Sequence, residues 1–93
     1  MKYRIFTLEV ELDQDHPRLR DSLSKARALG YSSEASLEKA QRLLHQRCGV
    51  FRLKKIARIV SYKEYASLDA VGESRSKEWL QKAESNGCWI ELC

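Results

Sequence analysis

Residues 2–12, KYRIFTLEVEL, place Phe6, Leu8, Val10 and Leu12 on one side and Thr7, Glu9 and Glu11 on the other. A period of two built from aromatic and branched residues marks a half-buried strand. No other feature constrains the fold as much. A strand with one apolar face needs neighbours at its edges and a layer packed over that face. The chain has 93 residues with which to supply them, enough for one core and one domain, which the sequence reading places at 1–93.

The remaining segments read in order. Asp13 to His16 is polar and ends the strand. Pro17 suits a first helical position, and Leu19, Leu23, Ala26 and Leu29 recur at helical spacing. The spacing predicts an amphipathic helix over 17–29 that Gly30 terminates. Tyr31-Ser32-Ser33 becomes a short connection with Ser33 as the N-cap. Leu37, Ala40, Leu43 and Leu44 predict a second helix over 34–48, ended by Gly49. Residues 50–71 lack Gly and Pro and fit two patterns. Ile56, Ile59, Val60 and Tyr62 favour a strand by propensity, whereas Leu53, Ile56, Ala57, Val60, Leu68 and Val71 fit one helical face. A strand over 55–62, followed by a helical or irregular piece to Val71, is the preferred reading. Ser74 or Ser76 caps a helix over 75–85 with Trp79, Leu80 and Ala83 on its apolar side, and Asn86-Gly87 closes it. Cys88 to Leu92 alternates and reads as a final strand, with Cys88, Ile90 and Leu92 facing one way. The expected fold class is α+β, a small domain in β-α-α-β-α-β order, with helices packed on one face of a short mixed sheet.

Charge is distributed unevenly. Residues 1–38 hold six Lys/Arg against seven acids, and residues 64–93 hold three against six. Residues 39–63 hold eight bases and no acid. The whole net charge of +4 therefore sits in the centre of the chain. Such a cluster meets the electrostatic demand of phosphates. Arg42, Arg47, Arg52, Lys54, Lys55 and Arg58 are the candidate phosphate contacts, with Phe51 and Tyr62 as candidate stacking rings. The expected function is a small nucleic-acid-binding regulatory or accessory protein, DNA or RNA undetermined. The alternative is an inhibitor or antidote that binds an acidic protein, steered by the same cations and anchored by Trp79 and Trp89. The last strand, as a sheet edge, would also serve a homodimer.

Other chemistries find less support. Strand, helix and helix over residues 6–46 resemble the order of ribbon-helix-helix proteins, but the strand would aim Glu9 and Glu11 at a polyanion. His45, Cys48, Cys88 and Cys93 are metal-ligand types, yet Cys88 and Cys93 stand five apart on a predicted strand and point to opposite faces. Neither a metal nor any other cofactor is expected. No nucleophile with a neighbouring base and no glycine-rich phosphate loop is present, so the chain does not read as an enzyme. No apolar run approaches a membrane span, Met1 to Val10 does not read as a secretory signal, and three cysteines do not make a disulfide framework. A reducing cytoplasm is the expected setting.

Overall fold

The computed structural model describes residues 3–16 and 25–93. The alternating segment forms the strand β1 (Tyr3–Leu12), and burial follows its period residue by residue. Phe6, Leu8, Val10 and Leu12 are all buried. β1 is flanked by β2 (Lys25–Ser32) and by β3 (Leu53–Tyr65), and β4 (Trp89–Leu92) pairs with β2. The sheet order is β3-β1-β2-β4, and every pairing is antiparallel, not mixed. Two helices complete the fold, α1 (Leu37–Arg47) and α2 (Ser74–Asn86). No helix among the described residues is long and apolar enough to cross a membrane.

The element order is therefore β-β-α-β-α-β, and the expected first helix is a strand where it is described. Its residues 17–24 lie outside the described residues. Lys25 to Leu29 are good helix formers, but propensity is a weak prior against tertiary packing. Here packing decides. Ala28 and Gly30 pair with Leu8 and Phe6, and these small residues let α1 press onto the sheet. A Cβ at Gly30 would sit 3.0 Å from Leu8 Cδ1 and 3.1 Å from Leu44 Cδ2. Gly30 thus permits a close approach in mid-strand and does not end a helix. Ser33 is buried at the end of this strand, and Ser36 is the N-cap of α1, accepting from the Lys39 amide at 3.3 Å.

The two helices do not share a face. Ala40 and Leu44 of α1 join the even-numbered residues of β1, with Ala28, Cys88 and Ile90, in one apolar cluster. Leu80 and Ala83 of α2 join Tyr31 and Val71, with Tyr3, Ile5, Leu29 and Trp79 packed around them, in a second. Tyr3 and Ile5 are odd-numbered on β1, so α2 lies on the opposite side of the sheet from α1. On the α2 side, burial pushes the Tyr31 phenol up to about 12. Its hydroxyl lies near Ser76 but has no hydrogen-bond partner among the described residues. Gly87 closes α2 with φ 91°, a left-handed cap that glycine adopts at little cost.

β3 resolves the ambiguous segment in favour of a strand, longer than the expected 55–62, followed by a 3₁₀ turn over Leu68–Ala70. Its register against β1 shifts three times. Lys54, Ala57 and Val60 fall between paired residues, each an inserted bulge residue. Leu53, Ile56, Ile59 and Tyr62 consequently all face the α1 side at intervals of three, which is why the segment also fits a helical stripe. Bulges increase local twist, and the sheet coils accordingly. Leu53 pairs with Leu12 at one end, while Trp89 pairs with Tyr31, itself opposite Ile5, at the other. Yet Phe51, in the 3₁₀ turn Cys48–Phe51 that leads into β3, meets Trp89 edge-on with ring centroids 5.3 Å apart. The two diagonal corners of the sheet have curled together. One buried arginine fastens the far end of β1. Arg4 donates to the Glu34 carbonyl (2.8 Å) and the Ala35 carbonyl (3.1 Å) and pairs with Glu64 of β3 at 3.4 Å.

Candidate functional site

The basic segment 39–63 spans α1, the turn after it and β3, so its cations are divided among three places. On α1, Arg42 pairs with Glu38 at 3.2 Å and Lys39 with Glu34 at 3.4 Å. At the end of α1, Arg47 Nη1 donates to the Asn86 carbonyl at 2.6 Å, a cation placed at the C-terminus of α2, where the helix dipole favours it. Arg52 takes a left-handed conformation, φ 61°, as the turn enters β3. Its amide donates to the Gly49 carbonyl at 3.1 Å, and its carbonyl accepts from the Asp13 amide at 3.2 Å.

The β3 cations form the one organised group. Lys55 and Arg58 lie on the α2 side of the sheet, below the part that α2 covers. Lys55 pairs with Glu11 at 3.1 Å and Arg58 with Glu9 at 2.8 Å. On the other flank of β1, Glu9 stands opposite Arg27 and Glu11 opposite Lys25. The result is two rows across three strands, Arg27-Glu9-Arg58 and Lys25-Glu11-Lys55. The hydrogen bond and charge of Arg58 hold the Glu9 carboxyl below the usual glutamate range, with help from Arg27 and Lys25. Lys55 does the same for Glu11, and Glu9 in turn raises Arg58. A recess of about 380 Å³ opens beside these rows, lined by Glu9, Lys25 and Arg27 with Ala26 and Ala57.

The candidate rings do not accompany these cations. Tyr62 lies on the α1 side, tilted against Phe6 at 5.5 Å, with 39% of its surface exposed. Phe51 is engaged by Trp89. Trp79 packs on Tyr31 at 5.3 Å and belongs to the α2 cluster. Trp89 is half-buried. Its Nε1 donates to Glu91 at 2.7 Å, and Lys82 lies 4.8 Å from its ring. A second recess, about 200 Å³, lies at the curled corner between Trp89, Phe51, Val50 and Arg47. Val50 is 76% exposed at its rim. Residue types of this kind, aromatic and Arg around a small apolar hollow, are those that anchor protein interfaces.

The structure thus gathers Lys55 and Arg58, separates them from Arg42, Arg47 and Arg52, and leaves Lys54 at a bulge. Arg27, Lys25, Glu9 and Glu11 complete the same surface, and no run or motif in the sequence marks them as one group. Their alternation along β1 and β2 carried the signal only once β2 was known to be a strand. Of the metal-ligand types, Cys88 is buried against the Leu43 carbonyl (3.8 Å), and burial raises its thiol, while Cys93 is exposed. Among the described residues, no group of three or more His, Cys, Asp or Glu gathers to hold a metal ion. Comparison with protein-family models, with curated proteins and with solved structures finds no match to the chain.

Proposed function

We propose that this domain is a protein-binding inhibitor or antidote that docks on an acidic partner protein. The observation that carries this reading is the pair of cation–carboxylate–cation rows on the open part of the sheet. A polyanion gains from cations alone and is repelled by carboxylates set among them. A protein surface offers both signs, and a mixed-sign pattern selects among such surfaces. Four cations against two carboxylates leave the rows net positive, which favours an acidic partner. The corner around Trp89 and Phe51, with Arg47 at its recess, supplies separate apolar anchors.

Nucleic-acid binding is the second reading. Arg52, Lys54 and Lys63 support it, since none of them makes a salt bridge among the described residues. The two readings separate in one set of measurements. Gel shifts on mixed-sequence DNA and RNA should show only weak binding that vanishes between low and moderate salt. A stoichiometric protein should be retained from the native host after nuclease treatment. Tight nucleic-acid binding at moderate salt, abolished by Arg52→Glu/Lys54→Glu/Lys55→Glu in a folded protein, would reverse the order of the two.

A further inference from the structure

We propose that the outer edge of β3 over Ser61–Tyr65 receives an extended segment of an acidic protein as an added strand. This rests on the protein-binding reading above and names where and how such a partner docks. β3 ends the sheet, and among the described residues no strand pairs with its outer side. The bulges at Lys54, Ala57 and Val60 break the ladder along most of that edge, a device that blocks strand addition. From Ser61 to Tyr65 the pairing with β1 runs without a shift. A regular ladder leaves alternate N–H and C=O groups directed outward, ready for a new strand.

The chemistry of the incoming segment follows from the two sides of this stretch. Tyr62 and Glu64 face the α1 side, where Glu64 is paired with the buried Arg4 at 3.4 Å, and Val60, at the last bulge, is 38% exposed. Lys63 faces the α2 side, on the same side as Arg58 and Lys55. A complementary strand therefore alternates, with apolar residues next to Tyr62 and acids next to Lys63. The inner edge of β3 already holds a strand of this kind: residues 7–12, TLEVEL, turn Leu8, Val10 and Leu12 to the core and Glu9 and Glu11 to Arg58 and Lys55. A second copy of β3 fits poorly. It would bring Lys63 and Arg58 on one side against the same cations of its twin, in a chain of net charge +4.

The direct test uses a synthetic TLEVEL peptide and its charge-reversed form TLKVKL. Amide hydrogen exchange of the intact protein is followed by NMR. The acidic peptide should slow exchange at alternate residues of 61–65, and the basic peptide should not. Lys63→Glu should weaken the acidic peptide roughly tenfold, as expected when an attractive charge contact becomes a repulsive one. Unchanged Trp79 and Trp89 fluorescence would report that the variant is folded, and Lys63→Gln provides an intermediate case. Equal protection by both peptides, or none at 61–65, overturns the proposal. So does protection in the protein alone that grows with concentration, since a second copy would then own the edge. The broader reading fails separately. If the peptide docks and Lys63→Glu releases it while no host protein is retained, the edge stands without that reading. If a host protein is retained equally by Lys63→Glu, the edge falls and the reading stands.

Discussion

β1 is flanked by two strands that meet it by different rules. β2 pairs with it residue for residue over eight positions. β3 pairs over ten but inserts an extra residue three times. β1 presents the same alternation to both, so the difference belongs to the flanking strands and to what lies beyond them. β2 is enclosed by β4 on its far side and by a helix on each face. Its small residues Ala28 and Gly30 make room for Leu44. Among the described residues no strand lies beyond β3, so it tolerates extra residues, and these coil the sheet and interrupt its outer edge. Regular pairing here accompanies enclosure, and irregular pairing accompanies the edge.

The comparison breaks most easily at Gly30. Gly30→Val forces a branched side chain against Leu8 and Leu44, both fully buried. Overpacking of this kind costs about 3 kcal/mol, read as a lower urea midpoint. Ala57→Val makes a comparable change in size at an exposed bulge of β3 and should alter stability by no more than about 0.5 kcal/mol. Equal losses at the two sites would mean that the bulged strand is packed as tightly as the regular one.

A smaller effect is expected from deleting Lys54, Ala57 and Val60 together. The shortened strand reads LKIRISYKEY, which returns Leu53, Ile56, Ile59 and Tyr62 to strict alternation with Lys55, Arg58 and Ser61. Every side chain keeps its face, so the protein should fold. The coil should relax and part Phe51 from Trp89, a contact worth about 0.5–1.5 kcal/mol, visible as a shift in tryptophan emission. The straightened edge should also take up the acidic alternating peptide along its full length, detected as slowed amide exchange at Leu53 to Ile59 as well as at 61–65. Unchanged emission with no protection beyond 61–65 would show that the bulges neither coil the sheet nor guard its edge.

That shortened sequence also explains what could be read in advance. β1, α2 and β4 were legible because local period and side chain agree: Phe6 to Leu12 alternate without interruption, and Leu80, Ala83 and Gly87 mark a helix and its end. β3 hid a period of two under three inserted residues and so imitated a helical stripe. Residues 25–32 combine Ala, Arg and Leu in a way that favours a helix, and only contact with Leu8 and Leu44, distant in sequence, makes them a strand. The charge rows were illegible for the same reason. Glu9 and Arg58 are 49 residues apart, and a tally by segment placed the acid in one block and the cation in another. Four of the eight bases of 39–63, Lys39, Arg42, Lys55 and Arg58, pair with carboxylates that lie within residues 1–38.

The smallest effect sharpens the comparison within a single row. Glu9 lies between Arg27 of β2 and Arg58 of β3, but only Arg58 donates a hydrogen bond to it, at 2.8 Å. Arg27 acts through charge alone and more weakly. Arg58→Gln should therefore raise the Glu9 carboxyl more than Arg27→Gln does, measured by NMR titration of its side chain. The sign for stability follows. A carboxyl held below its unfolded value leaves the native state with fewer bound protons as pH falls through that interval. Its contribution is complete above the unfolded value and is lost as pH drops through the folded one. Acid should thus destabilise wild type more than Arg58→Gln, with Arg27→Gln closer to wild type, and added salt should narrow the gap because these groups meet solvent. If the two variants titrate alike, the rows are symmetric and β2 holds the carboxylates as firmly as β3. The bulged strand would then have no special claim on the charge of this surface.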